Sequence, residues 1–154
     1  MTEPNEGRLK GQNRSRLRQG AMAKIKTEDL FQTNELSRPA SSRLVHEAQL
    51  LVDKGDLHGA AETLQRAVEL DPQPTALTLL GDLWVRLNQP ERAIVPLAAA
   101  VTLDPKGRAA AALAHVFMRL RREREAFAMA TLALTRHPGD RHALEVIEAT
   151  REGE

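Results

Sequence analysis

The side chains with the most potential for chemistry are five histidines, His46, His58, His115, His137 and His142, in a 154-residue chain that has no cysteine. Imidazoles hold zinc-like ions when several ligands converge, and sequences often signal such sites by close pairs such as H-E-x-x-H. No such pair occurs here, and His137 and His142 lie five apart across a Pro-Gly turn, a poor spacing for sharing an ion. The phosphate-cradling G-x-x-x-x-G-K-[ST], the dinucleotide fingerprint G-x-G-x-x-G and the nucleophile elbow G-x-S-x-G are also missing. Most carboxylates fall on expected solvent faces, where they favour solubility. The expectation is a non-catalytic protein with no metal and no cofactor.

The elements that position these side chains announce themselves by repetition. AVELDP at 67–72 is nearly repeated as AVTLDP at 100–105, and ALTRHP at 133–138 is a weaker third copy. On this 33-residue period seven columns align without insertion: Leu44, Leu77, Ala110; Ala48, Gly81, Ala114; Leu51, Trp84, Phe117; Ala60, Ala93, Ala126; Leu64, Leu97, Ala130; Ala67, Ala100, Ala133; and Pro72, Pro105, Pro138. A period of this length marks stacked structural units. In the middle unit Leu77, Leu80, Trp84 and Leu87 share one helical face, and Ala93, Leu97 and Ala100 mark a second. The break between them, Asn88–Gln89–Pro90, places proline to open the second helix. In the first unit Lys54–Gly55–Asp56 serves, glycine closing one helix and aspartate capping the next. Arg121–Arg122 occupies that place in the third without glycine or proline. Gly81 is expected to face Ala93, so that two helices can approach closely. Pro96, inside the second helix of the middle unit, is expected to bend it or delay its start.

The middle unit resembles a tetratricopeptide repeat, whose pattern is W-x2-L-G-x2-Y…A-x3-F…P. It supplies Leu77, Leu80, Gly81, Trp84, Ala93, Leu97 and Pro105 at the matching positions, and the flanking units supply related sets. The family's usual period is about 34 residues, so one connection per unit is expected to be a residue shorter. The resemblance implies an all-α superhelix of three hairpins, about 41–73, 74–106 and 107–139, followed by a capping helix at 140–151 with Leu144 and Ile147 on its apolar side. It also implies a concave groove lined by the first helix of each hairpin, suited to a partner peptide or protein. The groove positions are Val45, Gln49 and Val52; Thr78, Asp82 and Val85; and Arg108, Ala111, His115, Met118 and Arg119. Repeats that clamp the acidic C-terminal tails of chaperones use Lys, Asn and Arg in this groove. The matching positions here are Val45, Gln49, Leu79, Arg108 and Ala112, of which only Arg108 fits. The architecture is also similar to that of small type III secretion chaperones.

Residues 1–40 lie outside the repeat. Arg8, Lys10, Arg14, Arg16, Arg18, Lys24 and Lys26 form a basic arm with no acidic residue between them. Such an arm is expected to be largely disordered. It offers an alternative function, salt-sensitive association with nucleic acid or an acidic partner. The stretch EDLFQTNEL at 28–36 carries a short apolar patch that could cap the first hairpin, dimerise the chain in a self-assembling scaffold, or be read by a partner. Net charge is only +1, arginine outnumbers lysine 17 to 5, and no apolar run is long enough to span a membrane. These features suggest a cytoplasmic, bacterial protein, and the resemblance together with the absence of catalytic motifs implies an adaptor, assembly subunit or chaperone.

Overall fold

A computed structural model describes residues 27–104, 106 and 108–153, with side chains described from Leu36 onward. The basic arm therefore lies outside the described residues. Contacts divide the chain into Met1–Ser37 and Arg38–Glu154, and the packing described below belongs to the second unit. Among the described residues there are seven helices and no strands: α1 Thr27–Asp53, α2 Leu57–Leu70, α3 Pro74–Arg86, α4 Pro90–Leu103, α5 Arg108–Arg119, α6 Glu123–Arg136 and α7 Arg141–Glu152. From α2 onward each helix packs on its successor, α3 also meets α5, and α5 also meets α7. This is a solenoid of helical hairpins with a terminal helix stacked on the last.

The repeated columns are the core. Ala60, Ala67, Ala93, Leu97, Ala100, Ala110, Ala114, Ala126, Ala130 and Ala133 are fully buried, and Trp84 and Phe117 are nearly so. Leu44 and Leu51 keep partial exposure, because the first hairpin has a following neighbour but no preceding repeat in this unit. The close approach in the central hairpin differs in detail from the expected Gly81–Ala93 pairing. A Cβ built on Gly81 would lie 2.5 Å from Cγ of Leu97, so the bare backbone at 81 seats a leucine one turn beyond Ala93.

The three hairpin turns share one geometry. Gly55 (φ 85°), Asn88 (φ 60°) and Arg121 (φ 60°) all enter the left-handed region, each 33 residues from the last. Each donates its N–H three residues back, and the next residue donates five back: Gly55 to Val52 and Asp56 to Leu51, Asn88 to Val85 and Gln89 to Trp84, Arg121 to Met118 and Arg122 to Phe117. This paired closure satisfies carbonyls left open at the helix end. The third turn thus forms without glycine, at the conformational cost that a side chain adds in this region. The LDP endings also behave alike. Asp71, Asp104 and His137 leave the helix in extended conformation, each donating its N–H to the repeated alanine, Ala67, Ala100 or Ala133.

Long-range side chains then tie the helix ends together. Buried Ser41 on α1 donates its hydroxyl to the Ala67 carbonyl at 3.0 Å. Arg136 on α6 donates to the carbonyls of Val101 (3.1 Å) and Asp104 (2.8 Å), closing α4. Two expectations need correction. Pro96 does not delay its helix, since α4 already starts at Pro90 with proline in its first turn; Pro96 is buried against the core, where its ring packs. The helix α1, Thr27–Asp53, contains Pro39 within its span. On α7 the buried residues are Ala143 and Val146, while Leu144 is exposed and Ile147 only partly covered. That helix packs with a face turned one residue from the one expected.

Replacing Arg121 by glycine relieves the left-handed side chain and should stabilise the fold by about 0.5–1 kcal/mol. Thermal unfolding would read this as a midpoint a few degrees higher. A lower midpoint would mean that Arg121 contributes contacts outweighing the strain.

Candidate groove and its chemistry

Helices α1, α3 and α5, the first of each hairpin, present one face on which two hollows lie side by side. The first, about 420 Å³, is lined by Val45, Gln49 and Val52 of α1 and by Leu79, Asp82, Val85 and Arg86 of α3, with Ala48, Leu64 and Leu83 at its floor. The second, about 510 Å³, is lined by Thr78, Asp82 and Val85 of α3, Arg108, Ala111, Ala112, His115, Val116 and Arg119 of α5, and by Asp140, the cap of α7, and His142 of α7. Asp82 and Val85 belong to both and join them. The spacing of the α5 residues explains the arrangement: 111, 115 and 119 fall four apart and form one row along the helix.

Every groove residue expected from the sequence lines one of these hollows except Met118. It is partly buried and packs against the core, off the row that faces the groove. Arg86, Asp140 and His142 line the hollows without having been expected there. Asp140 caps α7, accepting from the backbone N–H of His142 (3.0 Å) and Ala143 (3.2 Å), and so holds His142 at the mouth of the second hollow.

The groove is electrostatically mixed. Arg119 reaches across to the preceding repeat, its guanidinium 3.5 Å from the Val85 carbonyl and 3.4 Å from Asn88 Oδ1. Arg122 in the adjoining turn is held by Glu125 at 2.8 Å and lies over the Phe117 ring; that hydrogen bond lowers the Glu125 pKa. The basic cluster at 119–124 is thus partly committed within the fold. Asp82 reaches solvent, yet the surrounding groove walls displace water, and this desolvation raises its pKa while Arg86 opposes the rise.

His115 stands out. Its Nε2 is buried and has no hydrogen-bond partner among the described residues. Its ring meets that of His142 edge-on, with centroids 5.7 Å apart. The sequence spacing weighed His142 against His137, whereas the stacking of α7 on α5 brings it to His115. The available signal was the His-x-x-Glu spacing at 142–145, which puts two ligand-type side chains on one helical face.

An all-α stack of helical hairpins with a groove on its first-helix face defines a helical-repeat protein, and comparison identifies the kind. Residues 46–108 match the tetratricopeptide repeat family. Solved structures agree in fold: the tetratricopeptide domain of Arabidopsis OM64 (TM-score 0.70, 18% identity, covering 77% of this chain and 99% of that one), MamA (TM-score 0.69, 23% identity, 73% and 67%), and the first such domain of Spaghetti (RPAP3) bound to an HSP90 peptide (TM-score 0.70, 17% identity, 75% and 94%). No curated protein matches the sequence. The chain thus has the fold of tetratricopeptide-repeat proteins, as three hairpins and a terminal helix. None of the described helices is long and apolar enough to cross a membrane.

Asp82 supplies a pH-dependent test of the groove's electrostatics. Because its folded-state pKa is raised, its ionised form opposes folding, and this penalty grows as pH rises through the carboxylate range. Asp82→Asn should therefore raise the melting midpoint at pH 7, with the difference closing below roughly pH 4, where the unfolded chain's carboxyl is also protonated. A variant less stable than the parent at pH 7 would show that Asp82 is held by favourable contacts instead.

Proposed function

We propose that this protein is a non-catalytic interaction module that holds an extended or helical segment of a partner protein in the groove formed by α1, α3 and α5. The observation that carries the reading is the joined pair of hollows, whose walls combine apolar Val45, Val52, Val85 and Ala111 with polar Gln49, Thr78, Asp82 and Arg108. Apolar anchors supply affinity for a segment in such a groove, and a few polar groups fix its register. Peptide binding by a protein of the same fold, the Spaghetti domain with its HSP90 peptide, supports the reading.

The partner differs in chemistry from the acidic chaperone tails. Of the positions matching a carboxylate clamp, Val45, Gln49, Leu79 and Ala112 carry no charge, and Arg108 alone is cationic. Asp82 lies where the hollows meet and favours a partner bearing a cationic group, which would offset its desolvation. We place the protein among adaptors, assembly subunits or chaperones on this basis.

Selection from a displayed library of random peptides tests the idea directly. The parent chain should enrich peptides with apolar anchors and a basic residue, and Val85→Glu should lose them while keeping its helical circular-dichroism spectrum. Equal enrichment by parent and variant would place binding elsewhere.

A further inference from the structure

We propose that His115, His142 and Glu145 form a binding site for a divalent transition-metal ion of the zinc class at the α7 end of the groove. One ring nitrogen of each histidine and a carboxylate oxygen of Glu145 all lie within 4.8 Å of one another. The three residues come from two helices packed together, α5 and α7. His142 and Glu145 sit one turn apart on α7, with Nδ1 and Oε2 4.0 Å apart.

Two imidazoles and one carboxylate are the donor set of an open zinc site, in which water or an incoming group takes the fourth position. Bonds of about 2.0–2.2 Å bring tetrahedral ligands to roughly 3.3–3.6 Å from one another. Closing the cluster onto an ion therefore takes about an ångström of side-chain movement. His142 and Glu145 have that freedom, for their side chains are 74% and 66% exposed. His115 is the fixed member, set in the wall of the second hollow with its Nε2 buried.

Independent support comes from His115 itself. A histidine kept for structure normally hydrogen-bonds through its buried nitrogens. This one sits in an alanine-rich helix, and its buried Nε2 has no hydrogen-bond partner among the described residues. Its exposed partner His142 is held in place by the Asp140 cap through the backbone, leaving the imidazole available to a ligand. Because His115 and His142 both line the second hollow, the ion would border the groove.

The test is calorimetric titration of the untagged, metal-free full chain with Zn2+. One ion per chain should bind, with affinity reduced at least tenfold in His142→Ala and in Glu145→Gln. Both residues are exposed, so these variants should fold as the parent does, and circular dichroism checks this. His137→Ala, an exposed histidine outside the cluster, should bind as the parent does. In proton spectra the imidazole signals of His115 and His142 should shift together on adding Zn2+, while those of His46 and His58 stay in place. The proposal is overturned by absence of binding, by unchanged binding in His142→Ala and Glu145→Gln, or by equal loss in His137→Ala. Because the readout is metal alone, it is separate from the outcome of the peptide selection.

Discussion

The seating of Leu97 on the bare backbone of Gly81 sets the separation of α3 and α4, and the central hairpin is the member on which both outer hairpins stack. Leu97 is fully buried, and its Cγ would be 2.5 Å from any Cβ at position 81. In a close-packed interior such a contact has no slack on either side. The neighbouring hairpins reach the same result with alanine, Ala48 above and Ala114 with Ala130 below, all fully or almost fully buried. Small residues at these columns let large ones, Trp84 and Phe117, fill the space beside them.

The groove is a consequence of this spacing. When each first helix lies close to its own partner and stacks on the next pair, one face of α1, α3 and α5 is left without a covering element among the described residues. The shared left-handed turn at Gly55, Asn88 and Arg121 keeps the hairpins alike. Caps from a neighbouring helix, Ser41 of α1 closing the end of α2 and Arg136 of α6 closing the end of α4, tie these helices together. Side chains in the repeated columns are thus occupied with packing. Those that vary between copies, such as Gln49, Asp82 and His115, are the ones free to meet a partner.

Much of this was legible in the sequence because packing of this kind is periodic. The alanine and leucine columns located the core, and LDP with the Gly55 turn located helix ends whose mechanism is local. What escaped the sequence depended on neighbours or on conformations without a marker residue. Arg121 adopts a glycine-like conformation in the same hydrogen-bonded turn as Gly55 and Asn88, with no glycine to mark it. α1 continues through Pro39 although proline usually marks a boundary. Met118 sits on the right helix but off the groove-facing row, a distinction of one residue. His115 and His142 are 27 positions apart and meet only when α7 docks on α5, so no local spacing could pair them.

The most direct measurement of the central claim is a double-mutant cycle at positions 81 and 97, followed by equilibrium unfolding. Gly81→Ala alone should destabilise the fold by about 1–3 kcal/mol despite alanine's better helix propensity, and Leu97→Ala alone by about 2–5 kcal/mol. In the Leu97→Ala background the same glycine replacement should be neutral or stabilising, because the added methyl enters the space the leucine vacated. Simple additivity of the two changes would contradict the account, since the separation of α3 and α4 would then be set by something other than this contact.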